Sequence, residues 1–297
     1  IRKTLSLSIT VINKDQTVRE CREVPCSRYV YMHDFFLTEN YFIFILHPAF
    51  IDIPKFLLGQ QSFKGCLKWR GSDGNLVMLI PRDATRQVKY FDAPAAWMWH
   101  SLNAYEQGDD IIMDFAGFDT PDELIGEESQ WNKIMRAEIV PRQHPAKLRR
   151  YRISLTANKL HEDIVDTGDY EFPALNIHNF TRPHRYGYFA KCVRPLDVFF
   201  NSVVRVNYHT GKIDEYDFGE GYYIGEPVFC TVMQHYYQPD AVDEPGYLLV
   251  QVANGYTKTS ALAILRAEAL ADGPIALIQH PHHIPISFHG AWAPSYS

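Results

Sequence analysis

The stretch VVRVNYHTGKIDEYDF, residues 203–218, carries the clearest statement of fold class in this sequence. Val203, Val204 and Val206 begin a β-branched run, HTGK punctuates it, and Ile213 to Phe218 alternates on the far side. Gly211 offers the positive φ that a tight hairpin turn needs, so the stretch reads as two antiparallel strands. Working outward, similar short apolar runs recur with turn residues between them. Tyr41 to His47, Asp110 to Phe115, Leu148 to Leu155 and Tyr186 to Val193 precede the hairpin or lead into it. Val228 to Val232, Tyr247 to Val252, Ala261 to Ala267 and Pro274 to Ile278 follow it. Many short strands with little helix between them predict an all-β fold: a sandwich, a barrel or a propeller. One helix is expected over residues 120–137. Thr120, Pro121 and Glu123 supply a capping box with proline at the first helical position, and Leu124, Ile125, Trp131, Ile134 and Met135 give an apolar face.

Composition agrees. The chain has 297 residues, 46% of them hydrophobic and 14% aromatic, with 18 Pro and 17 Gly. That is enough apolar material for a large core. The net charge of −6 argues against nucleic acid as a partner, because a nucleic-acid binder carries a basic surface. Five scattered cysteines without a CxxC pair point to a reducing compartment, and the expected location is cytoplasmic. No phosphate-cradling, dinucleotide, serine-hydrolase or zincin motif occurs. No linker divides the chain, so residues 1–297 read as one domain.

Thirteen histidines are more than such a chain needs for ordinary purposes. His33, His100 and His289 each stand at a strand boundary among distinctive residues. Their wide separation excludes a local zinc-finger arrangement. It suits a propeller, in which successive blades send inner side chains toward one axis. Imidazole is a ligand for Fe, Cu, Ni and Zn. The residues alone leave open either a shared metal site or three unrelated histidines satisfied by hydrogen bonds.

The segments around them resolve the choice by resemblance. HDFFLTENYFIF (33–44), WHSLNAYEQGDDIIMDF (99–115), YEFPALN (170–176) with RPHRYGY (182–188), GEPVF (225–229) and FHGAWAP (288–294) resemble, in this order, the carotenoid cleavage oxygenase family. The resemblance runs from about residue 9 onward. It implies a seven-bladed β-propeller with short helical inserts and a non-haem Fe(2+) on its axis. It implies His33, His100 and His289 as three of four imidazole ligands. Glu171 and Glu226 would accept hydrogen bonds from His100 and His289, fixing ring direction and offsetting the charge of the ion. The remaining histidine of the family precedes His33, and none of the 32 residues before His33 is a histidine. The chain is therefore expected to be the C-terminal part of such a propeller, lacking its N-terminal blade region.

The implied reaction is cleavage of a C=C double bond of a carotenoid, apocarotenoid or similar conjugated alkene with O2, both ends leaving as carbonyls. Two other outcomes stay open: a catalytically inactive propeller that binds apocarotenoids or lipids, and lignostilbene-type cleavage. Phe35, Trp97, Trp99, Phe288 and Trp292 are expected to line an apolar tunnel beside the metal. Phe50, Ile51, Ile53, Phe56, Leu57 and Leu58, with Lys55 among them, form an apolar patch expected to touch a membrane peripherally.

Overall fold

The computed structural model describes residues 5–293, apart from 124, 127–128, 139–140, 142–143, 195, 198 and 233–244. Strands β1 (Ser6–Ile12) and β2 (Val18–Pro25) pair as an antiparallel hairpin. Four four-stranded antiparallel sheets follow, each taken from one continuous stretch of chain. The first is built from β3 (Phe36–Leu37), β4 (Tyr41–Leu46), β7 (Asn75–Pro81) and β8 (Lys89–Ala93). Between β4 and β7 the chain leaves the sheet to form β5 (Ala49–Ile51), the short helix α1 (Ile53–Leu57) and β6 (Leu67–Trp69), with β5 and β6 paired to each other. The second sheet is β9 (Ser101–Gln107), β10 (Asp110–Gly117), β11 (Lys147–Ser154) and β12 (Lys159–Asp166), with helix α2 (Gln130–Met135) in the β10–β11 connection. The third is β13 (Tyr170–Ala174), β14 (Tyr186–Lys191), β15 (Ser202–Asn207) and β16 (Ile213–Asp217). The fourth is β17 (Tyr222–Thr231), β18 (Gly246–Asn254), β19 (Thr259–Arg266) and β20 (Pro274–Gln279).

These up-and-down sheets are propeller blades, and the all-β expectation holds. The quoted hairpin is β15–β16. Gly211 takes φ +72° and donates its N–H to Asn207 O at 2.8 Å, while Asn207 Oδ1 accepts the N–H groups of His209 and Thr210. An asparagine acceptor of this kind mimics a backbone turn, which is why the loop can be so short.

Successive sheets pack face to face. Ile43, Ile45, Val77 and Leu79 of the first sheet share one core with Met113, Phe115, Tyr151 and Ile153 of the second. Leu102, Ala116 and Leu148 of the second meet Tyr170, Phe189 and Val204 of the third. Tyr188 and Val203 of the third meet Leu248, Val250, Ala263 and Leu265 of the fourth. A blade buried on both faces reads as a continuous apolar run rather than an alternating one, which explains YFIFIL in β4 and IIM in β10. Burying one such side chain is worth about 1.5–3 kcal/mol. The first strands of the sheets, β3, β9, β13 and β17, contact one another in that order, so one end of each sheet converges on a shared centre.

The expected helix over 120–137 is much shorter. Among the described residues of this stretch only α2 is helical, and its cap is Ser129, whose side chain accepts Asn132 N–H at 3.3 Å. Thr120 bonds Asp122 instead of opening a helix, and one turn closes from Ile125 N–H to Pro121 O at 2.9 Å. Gly126 at φ +99° then takes the backbone out of helical space. Leu124 lies outside the described residues. None of the five cysteines forms a disulfide. Among the described residues no helix is long and apolar enough to cross a membrane.

Candidate metal centre and its cavity

Three loops deliver the histidines to the convergent end of the sheets. His33 lies between β2 and β3, and its Nδ1 donates to the backbone carbonyl of Trp99 at 2.8 Å. Its neighbour Asp34 fastens the same two segments. Asp34 Oδ2 accepts Ser101 N–H at 2.7 Å and Ser101 Oγ–H at 2.8 Å, while Oδ1 accepts Phe35 N–H at 2.7 Å. His33 is thereby tied to the residues on either side of His100.

His100 immediately precedes β9. Its Nδ1 donates to Glu171 Oε2 at 2.6 Å, across the seam to β13 of the next sheet. The same oxygen accepts Phe172 N–H at 2.6 Å. A bulge between Glu171 and Ala174 makes this possible; Phe172 takes φ +50° there and lays its ring 5.4 Å from that of His100. A phenylalanine at positive φ is strained backbone, held in place by its surroundings. His289 follows β20 on segment 284–290. Its Nδ1 lies 3.3 Å from Glu226 Oε1, and Gly290 N–H donates to Glu226 Oε2 at 2.7 Å. Glu226 also stands at a bulge, between Ile224 and Pro227 of β17. Gln251 holds the segment from β18 by accepting Ser287 N–H and Oγ–H and donating to Pro285 O.

Each Nδ1 therefore faces an oxygen that can only accept, which fixes the tautomer with the proton on Nδ1 and leaves Nε2 as a lone-pair donor. The ring centroids of His33 and His100 are 5.1 Å apart, and those of His100 and His289 4.8 Å. An ion about 2.1 Å from two imidazole nitrogens in neighbouring positions sets their ring centroids roughly 4.5–5.3 Å apart. His100 Nε2 is buried without a hydrogen-bond partner, as is Glu171 Oε1. An unpaired buried nitrogen is costly unless something binds it. Among the described residues no group of three or more His, Cys, Asp or Glu side chains is drawn tightly enough to hold an ion outright. The pairwise spacing and the orphaned nitrogen nevertheless suit a metal for which imidazole is a ligand. Burial alone would lower the pKa of His100, but the charge and hydrogen bond of Glu171, helped by Asp34 and Glu226, raise it.

The rings open into a cavity of about 670 Å³. Trp131 of α2, Phe172, Phe199, Phe200 and Phe288 supply much of its wall, with Trp131 packed on Phe199 and Phe288. Of the expected tunnel residues, Trp99 and Phe288 line this cavity. The other three lie elsewhere. Trp97 is fully buried in the core, stacked on Tyr31 at 5.8 Å. Phe35 stacks on Phe44 at 5.2 Å, and Trp292 is exposed outside the lining. Phe172, Phe199, Phe200 and Tyr223 went unmarked in the sequence; none stands next to one of the three histidines, and an aromatic residue by itself does not distinguish cavity wall from core.

Other histidines have separate environments. His47 is buried, donates to Ala96 O at 2.7 Å, and is held down to about 4 by burial. His283 lines the cavity beside Ser260 Oγ. The patch expected to meet membranes is uneven. Ile53, Phe56, Leu57 and Leu58 are exposed, and α1 buries no residue. Phe50 instead lies under the Arg70 guanidinium at 4.7 Å, and Ile51 is half-buried in β5.

The family model described as "Retinal pigment epithelial membrane protein" matches residues 1–294. The apocarotenoid-15,15'-oxygenase of Synechocystis sp. is 24% identical over 297 residues, which is 99% of this chain and 58% of that protein. The isoeugenol monooxygenase of Pseudomonas putida is 26% identical over 287 residues, 88% of this chain and 54% of its own length. The crystal structure of cobalt-substituted Synechocystis apocarotenoid oxygenase superposes with a TM-score of 0.86 at 23% identity, covering 98% of this chain and 58% of that one. The chain thus spans between half and three-fifths of the length of the proteins it matches.

Proposed function

The chain belongs to the retinal pigment epithelial membrane protein family, the carotenoid cleavage oxygenases, and on that premise we propose that it serves the oxidative cleavage of a C=C double bond in an apocarotenoid-like conjugated alkene. The overall change adds both atoms of O2 across the broken bond, one to each new carbonyl. The observation that carries this reading is the set of three imidazoles, each with Nδ1 occupied and Nε2 left available, at the mouth of an aromatic cavity. His33, His100 and His289 would hold Fe(2+), with Glu171 and Glu226 orienting two of the rings. Bound iron would supply the activation of O2. The protein's own part is to place and to shield. Asp34, Glu171 and Glu226 fix ring direction through their hydrogen bonds. The walls formed by Phe172, Phe199, Phe200 and Trp131 would exclude water and hold a flat polyene in one orientation.

The exposed face of α1 would meet a lipid surface, from which such an insoluble substrate is drawn. Apolar side chains beside Lys55 suit the headgroup boundary without spanning the bilayer.

The test is cleavage of an apocarotenal under labelled O2 with the iron-loaded protein. Label in both carbonyl products supports the reading. Tight polyene binding without any product would favour a binding role instead, as already weighed from the sequence.

A further inference from the structure

The cavity is not uniformly aromatic. One wall belongs to the end of the fourth sheet, where β17, β18 and the β18–β19 turn come together. Tyr223 of β17 is paired across the ladder with Ala253, and Asn254 closes β18. Lys258 sits in the turn at φ +56°, fixed by its N–H to Asn254 O at 2.9 Å. Asn254 Oδ1 accepts the N–H groups of Tyr256 and Thr257 and so braces that turn. All three side chains line the cavity.

What they have left over is donors. Among the described residues the Lys258 ammonium has no acidic partner, and neither the Asn254 amide N–H groups nor the Tyr223 hydroxyl has a hydrogen-bond acceptor. Nearby carboxylates are occupied elsewhere: Glu220 accepts the Tyr256 hydroxyl at 3.1 Å, Asp217 takes both guanidinium nitrogens of Arg194, and Asp197 takes the Asn201 amide. Of the two acids on the lining, Glu123 belongs to the β10–β11 connection and Glu171, on β13, is bonded to His100, so neither belongs to this wall. An ammonium, an amide and a phenol without internal acceptors, on a rigid turn facing an aromatic cavity, match an anionic oxygen group at the end of an apolar ligand.

We propose that Lys258, Asn254 and Tyr223 form a receiving wall for the carboxylate end of a conjugated polyene acid, whose double bonds lie along the aromatic surface toward the three histidines. This deepens the functional reading above and rests on it. It makes Lys258 a specificity residue: it selects which end group enters and does not touch the reacting atoms.

The experiment uses retinoic acid and retinol as probes, the same polyene ending in a carboxylate or an alcohol. Binding is followed by quenching of tryptophan fluorescence, since Trp99 and Trp131 line the cavity. The intact protein should bind the acid more tightly than the alcohol. Lys258→Met should weaken the acid about fivefold, as expected for a solvent-facing ion pair, and leave the alcohol unchanged. Lys258→Arg should keep the preference. Equal binding of the two probes by the unsubstituted protein, or equal weakening of both in Lys258→Met, overturns the receiving wall while leaving the cavity a polyene site. Failure of both probes to bind overturns the polyene reading itself, and the wall with it.

Discussion

Glu171 receives two hydrogen bonds on one carboxylate oxygen and none on the other. Glu171→Gln is therefore nearly silent sterically: its carbonyl can take both bonds and its amide nitrogen fills the place of the unpaired oxygen. Only the charge goes. The expected outcome is a loss of metal affinity of about 10–100-fold with the fold retained, measured as iron retained after dialysis; full retention would count against a charge role for Glu171. His33, His100, His289, Glu171 and Glu226 were legible in the sequence because each sits in a contiguous motif whose local order is enough to mark it. The partner of His33 was not, since a backbone carbonyl such as that of Trp99 has no residue-type signature. Proximity in sequence to a histidine also misled. Phe35 and Trp97, close to His33 and His100 in the chain, turn instead to Phe44 and Tyr31, while Phe199, Phe200 and Tyr223 reach the cavity from distant segments.

At the scale of elements, strands were easier to read than helices. The β15–β16 hairpin was fixed by its own turn chemistry, whereas the run over 120–137 had helix-starting residues but also Gly126, and a helix as short as α2 owes little to propensity. Helix α1 shows the other side of this. It is five residues long, begins at Asp52 and Pro54, and is held by Asp52 N–H on Cys66 O and by contact of Phe56 with Phe63. Leu57 and Leu58 take no part in that support and are 76% and 70% exposed. Leu57→Ser with Leu58→Ser should thus change stability by no more than about 0.5 kcal/mol, yet clearly reduce co-sedimentation with liposomes. Undiminished co-sedimentation would remove α1 as the membrane-contacting element.

For the molecule as a whole, acid is the revealing variable. His47 and His184 are both buried, and burial holds each down to about 4. His184 Nε2 lies 3.3 Å from Asp114 of β10, and its ring packs on Tyr105 and Tyr208, so it sits in the seam between the second and third sheets. Unfolded, both would titrate near 6.5. Between about 6.5 and 4 the unfolded chain binds protons that the folded one refuses, so stability is intact above that window and falls as pH falls through it. The loss approaches about 1.4 kcal/mol per pH unit for each histidine. Urea midpoints should drop from pH 7 to pH 5, and His47→Gln should flatten that dependence; an unchanged slope would place the acid sensitivity elsewhere. The convergence of the sheets has a consequence in time as well. His33 and His100 belong to early parts of the chain, but His289 follows all four sheets and is positioned by Glu226 and Gln251 of the fourth. During synthesis a nascent chain would expose two imidazoles long before the third emerges from the ribosome. Under the proposed role, capture of a metal ion by all three imidazoles would then have to wait until the fourth sheet has formed.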